Sequence, residues 1–124
     1  MPNSNKEVAI AFLQGVALGD VRSAYLKHVA PGFRHHNAYF AGDAESLMRG
    51  MEENAAKFPN KVLEVQRALE DGNFVAVHSR VRMNPGERGV AVVHILRFEN
   101  GKIIELWDVG QQVPETSPNT NPMF

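Results

Sequence analysis

The stretch Ile95-Leu96-Arg97-Phe98-Glu99-Asn100-Gly101-Lys102-Ile103-Ile104-Glu105-Leu106-Trp107-Asp108-Val109 decides the fold. Asn100-Gly101 separates two runs rich in β-branched, aromatic and aliphatic residues. A two-residue hairpin turn needs positive φ at both central positions, and Asn-Gly meets that need at little steric cost. The stretch therefore reads as two paired antiparallel strands.

Working upstream, two more runs have the same character. Strands are predicted over 61–70, 74–83, 89–99 and 102–112, with turns at Asp71-Gly72-Asn73 and Asn84-Pro85-Gly86. The first half of the chain has a helical period instead. Ser4 and Glu7 form a capping-box pair ahead of Val8, Phe12 and Val16, and Gly19 can stop that helix. Asp20 can cap a shorter helix carrying Val21, Ala24, Tyr25 and His28, which Pro31-Gly32 should end. An extended segment over 33–37 follows. Asp43 can cap a third helix with Leu47, Met51, Ala55 and Phe58 on one face, before Pro59. The tail, 113–124, holds Pro114, Pro118 and Pro122 and should run irregularly. Helices first and a long meander second make an α+β chain, read as one domain over 1–124.

Composition narrows the function. At 124 residues, 44% hydrophobic and 22% charged, the chain can bury one ordinary core. Thirteen Lys and Arg against fourteen Asp and Glu leave a formal net charge of -1, which argues against a nucleic-acid or anionic-membrane partner. The absence of cysteine excludes a disulfide framework and a thiolate nucleophile. Met1 to Glu7 has no apolar run flanked by positive charge, so no leader is expected there, and no apolar run approaches the roughly 20 residues of a membrane span. A cytoplasmic protein is the expectation.

Strand parity sorts the polar residues by face. Ile104, Leu106 and Asp108 share one face of the last strand, with Ile103, Glu105, Trp107 and Val109 opposite. Val92, His94, Leu96 and Phe98 share a face of the strand before it. His78 and Arg80 lie together on the second strand and can share a face with His94 across the hairpin. An acid and one or two imidazoles set among aliphatics suffice to remove a proton next to a carbonyl: a desolvated carboxylate is a stronger base, and an imidazole can donate to the developing oxyanion. The simpler reading of Asp108 is a buried ion pair with Arg80 or Arg97. His94 can equally be a satisfied core histidine. Of the adjacent pair His35 and His36, only one can face a given pocket; His36, with Asn37 next to it, is the pocket candidate and His35 the surface one. Tyr39 and Phe40 can form a pocket mouth. No His-x-His or His-x-x-x-His spacing occurs, so no metal is expected.

These residues also carry a resemblance. Phe33-Arg34-His35-His36-Asn37, Gly72-Asn73-Phe74-Val75-Ala76-Val77-His78, and above all the run from Ile95 to Gln111 resemble the SnoaL-like polyketide cyclase family, including bacterial members predicted to catalyse aldol condensation. The resemblance spans nearly the whole chain, the Pro114-Glu115 and Asn121-Pro122-Met123-Phe124 ending included. It implies a cone-shaped α+β barrel of the kind shared with nuclear transport factor 2 and ketosteroid isomerase. It also implies homodimers formed through the sheet, and an aspartate, here Asp108, that removes an acidic proton without any cofactor. Two positions depart from the family pattern: His94 stands where Asp precedes the Ile-Phe-Arg-Phe stretch, and Ala38 stands where Pro follows His-Asn. The expected site has Asp108, His94, His36 and His78 as catalytic residues, and Asn37, Arg80, Phe33, Tyr39, Phe40 and Leu106 around a small apolar ligand. The expected activity is that of a lyase or isomerase. A non-catalytic ligand-binding protein is one alternative. Another is an epoxide hydrolase or dehydratase in which Arg80 and Asp108 position a water.

Overall fold

A computed structural model describes residues 3–124; Met1 and Pro2, part of the segment read for a leader, lie outside the described residues. Among these, helices α1 (Asn5–Ala17), α2 (Val21–His28) and α3 (Ala44–Lys57) accompany strands β1 (Val29–His35), β2 (Val62–Asp71), β3 (Phe74–Arg82), β4 (Val90–Glu99) and β5 (Lys102–Gln112). The strands form one sheet in the order β1-β5-β4-β3-β2, antiparallel except where β1 runs parallel to β5. The helices pack on one face of this sheet, giving the cone-shaped α+β architecture the sequence implies.

Local chemistry explains the elements. Ser4 Oγ accepts from the Glu7 N–H at 3.1 Å while Glu7 reaches back to the Ser4 N–H, so both halves of the capping box form. Asp43 caps α3 by accepting from the Ser46 N–H at 2.9 Å. Asp20 precedes α2 but makes no side-chain cap bond. Asn100 and Gly101 both take positive φ, 52° and 78°, as the hairpin requires.

Two local expectations are corrected. Pro31-Gly32 does not follow a helix end; it lies within β1, where Gly32 takes φ 85° and the pairing with β5 shifts between Val29 and Arg34. An edge strand tolerates this, because proline's missing N–H can face away from the partner. In β5 the alternation also breaks. Phe98 pairs with Ile103 and Arg97 with Glu105, so Ile104 is an extra residue and Ile103 turns inward into the core.

The core lies between α1, α2 and the inner faces of β3, β4 and β5. Phe12, Val75, Val77, Leu96 and Ile103 are fully buried there, and Phe12 meets Tyr25 edge-on at 5.4 Å. Edge-to-face pairing suits the opposed charge of ring edge and ring face. The 113–124 tail takes no helix or strand, and its Phe124 packs on the outer face, as described below.

Candidate active site

His94 and Asp108 are register partners on adjacent strands, and both point to the inner face with Val77 and Val92. Above the core that face is not filled. A cavity of about 270 Å³ remains, walled by Leu13, Val16, Leu47, Leu63 and Val92, with Asn37, Asn54, Lys61, His94 and Asp108 as its polar groups. That is the space of roughly nine liquid waters, enough for a small organic molecule.

One oxygen of Asp108 is held. Asn37 Nδ2 donates to Asp108 Oδ2 at 3.0 Å. The amide orientation is set in turn, since Asn37 Oδ1 accepts from the Tyr39 N–H at 2.9 Å. Asp108 Oδ1 has no hydrogen-bond partner among the described residues and is free to take a proton. His94 has a different surrounding. Its Nδ1 is sealed in the wall without a partner, and the surface the ring keeps lines the cavity. Burial pushes its pKa down to about 4, the Asp108 charge opposing that and Lys61 adding to it. His94 is therefore a neutral imidazole near neutral pH.

The adjacent histidines exchange the roles expected of them. β1 sets His35 beside Leu106 and Arg34 beside Glu105, so His35 turns inward and His36 outward. His35 is buried: its Nδ1 accepts from the Asn37 N–H at 3.1 Å and its Nε2 donates to the Ala41 carbonyl at 2.6 Å. Those contacts match one neutral tautomer and fix the turn that carries Asn37 to Asp108. His36 instead stacks on Trp107 at 4.8 Å, and its Nε2 bonds Glu105 Oε2 at 2.7 Å on the outer face. The two do face opposite ways, as adjacency requires; the register of β1 on β5 chooses His35 for the interior.

Other expected site residues also lie elsewhere. Val77, not His78, pairs with His94, so His78 and Arg80 belong to the outer face. There His78 bonds Arg67 and stacks on Phe124, while Arg80 lies over the Phe124 ring and donates to the Arg88 carbonyl. Neither proposed ion pair reaches Asp108: Arg97 binds Glu105 Oε1 at 2.9 Å. The water-positioning role for Arg80 beside Asp108 is thereby overturned. Phe33 and Leu106 are core residues, Phe33 packing against Tyr25 at 6.0 Å. Tyr39 is 90% exposed and contributes its backbone N–H rather than its ring.

Phe40 lines the cavity, and its ring lies against the Cα of Gly50 in α3. A methyl group added at Gly50 would overlap that ring. Gly50→Ala is therefore expected to swing the partly exposed Phe40 ring off α3 with little net change in stability, since alanine gains roughly 0.5–1 kcal/mol over glycine inside a helix and offsets the displaced contact. Thermal unfolding, together with quenching of a cavity-bound fluorophore before and after substitution, checks both consequences.

Lys61 was missed by sequence reading. It heads the strand predicted over 61–70, where alternation sets it beside Leu63 and Val65, but a single lysine at a strand end reads as solvated; the structure starts β2 at Val62 and leaves Lys61 in the connection from α3.

Residues 9–106 match the model of a family described as SnoaL-like domain. No curated protein matches the chain. Among solved structures, AclR from Streptomyces galilaeus, a proposed hydroxylase, is 27% identical with TM-score 0.68, over 90% of this chain and 83% of that one. IdmH from Streptomyces antibioticus, a proposed polyketide cyclase, is 21% identical with TM-score 0.69, over 87% and 92%. A proposed ketosteroid isomerase from Kribbella flavida is 18% identical with TM-score 0.72, over 93% and 83%. The shared feature is the fold; the three names span three different reactions.

Proposed function

The chain belongs to the SnoaL-like domain family, and from that premise we propose that it is an enzyme that removes a proton next to a carbonyl in a small, mostly apolar metabolite. The observation that carries this reading is the pairing of Asp108 and His94 on neighbouring strands in one apolar cavity, with Asn37 anchoring a single carboxylate oxygen. Asp108 Oδ1 takes the proton from the carbon. The electron pair moves onto the carbonyl oxygen, and the neutral imidazole of His94 donates its cavity-facing N–H to that enolate. A neutral donor is well matched here, since it polarises the carbonyl without giving up its proton. Return of the proton to another carbon gives an isomerase; attack of the enolate on a second carbonyl gives an aldol-type cyclase.

The test is hydrogen–deuterium exchange at the α-carbon of neutral cyclic ketones such as 4-ethylcyclohexanone, followed by proton NMR in D₂O. Wild-type protein is expected to accelerate exchange. Equal rates with and without protein across such a panel would count against an enzyme and favour a binding protein.

We also infer a homodimer through the outer face of the sheet. Phe74, Ile95 and Val109 are exposed there beside Trp107 and Val93, and a contiguous apolar face of this kind is seldom left to water. Ile95→Lys is expected to halve the mass seen by analytical ultracentrifugation; an unchanged mass, or a wild-type monomer, removes the inference.

A further inference from the structure

The chemistry above leaves Lys61 unused. Its Nζ donates to Asn54 Oδ1 at 2.6 Å. An ammonium carries three N–H donors, and among the described residues this is the one bond that the Lys61 ammonium makes. No carboxylate among them lies within ion-pair distance of it. The side chain is half-buried and shares the cavity wall with Leu13, Val16, Leu63 and Val81. Withdrawal from water draws its pKa below the usual lysine value.

A cation pulled partly out of water without a counter-ion is costly, and the same surroundings make it a strong partner for an anion that enters. We propose that Lys61 binds a carboxylate of the ligand, which makes the cavity's ligand class a small organic acid with an apolar body. Placement supports one orientation. Asp108 lies on β5, whereas Lys61 precedes β2 at the far edge of the sheet, two strands beyond β4. A carboxylate set beside Asp108 would meet a like charge; set at Lys61 and Asn54 it meets a cation and an amide. The apolar body then crosses the aliphatic wall, and the opposite end reaches Asp108 and His94. The placement of that reacting end rests on the function proposed above, whereas the acid-binding end does not.

Two isosteric probes separate charge from shape: p-toluate and p-toluamide, compared by titration calorimetry and ligand-observed NMR. Wild-type protein is expected to bind p-toluate at least tenfold more tightly than p-toluamide. Lys61→Met should bring the two within about twofold without weakening the amide, and Lys61→Arg should restore most of the preference. If Lys61→Met does not fold, Lys61→Gln replaces it with a shorter polar side chain. Equal binding of the two probes to wild type, absence of p-toluate binding at millimolar concentration, or a preference that survives in Lys61→Met would each overturn the proposal. Asp108→Asn should leave the preference intact or raise it while abolishing ketone exchange, so a failure of the enzymatic reading remains distinct from a failure at Lys61.

Discussion

Asp108→Asn is expected to lower the rate of α-proton exchange by roughly 10²- to 10⁴-fold, the usual contribution of a positioned general base, equivalent to about 3–5 kcal/mol of barrier. The substitution is nearly isosteric. The new amide can turn its oxygen toward Asn37 Nδ2, so the bond that now holds Oδ2 survives. What disappears is the basic oxygen facing the cavity. Loss of exchange with an unchanged melting temperature and unchanged probe binding identifies a chemical role. A variant that keeps wild-type exchange would show that some other group takes the proton.

The second large effect is on stability in acid. His94 has a folded-state pKa of about 4, against an ordinary value of 6.5. Because the unfolded chain takes up this proton more readily than the folded one, stability is complete above about pH 6.5 and declines as pH falls toward 4. The full loss is about 3 kcal/mol, at up to ~1.4 kcal/mol per pH unit. His94→Gln removes the titration and should flatten the denaturant-melting profile by one proton across that window. His28 also has a lowered pKa, through burial and the charges of Lys102 and Lys27, and its share of the slope persists in the variant. Glu105 acts at lower pH. The bond from His36 and those from Arg97 and Arg34 hold its pKa at about 2, so its contribution is present above its ordinary value of 4.5 and is lost toward pH 2. A His94→Gln profile as steep as wild type would mean that the imidazole is more hydrated than its place in the wall implies.

The two proposals divide the cavity between its ends. Asp108, Asn37 and His94 supply a base, its anchor and a neutral donor; Lys61 and Asn54 supply a cation and an amide. His35 does not line the cavity and acts through Asn37, so it is a positioning residue. The outer face of the same strands carries Glu105, His36, Trp107, His78 and Arg80, chemically rich but facing away from the cavity. Opposite faces of one sheet thus hold two polar clusters that a one-dimensional reading merged into a single site.

Local chemistry was sufficient for much of this protein. The capping box at Ser4, the Asp43 cap, the positive-φ turn at Asn100-Gly101 and the change of period near residue 60 each depend on neighbours within a few residues, and each is visible in the chain itself. Asp108 and His94 were legible as polar residues set in apolar rows, but an unbroken hairpin would set Trp107 opposite His94; the extra residue at Ile104 is what pairs His94 with Asp108. Tertiary structure alone decided the rest. The distortion around Pro31-Gly32 and the parallel pairing of β1 with β5 chose His35 rather than His36 for the interior. The β3–β4 register sent His78 and Arg80 to the outer face. The turn between α3 and β2, closed by the Lys61 N–H on the Phe58 carbonyl, brought Lys61 into the cavity. Alternation tells which residues share a face only within an unbroken strand, and which face looks inward depends on pairings between segments that are distant along the chain.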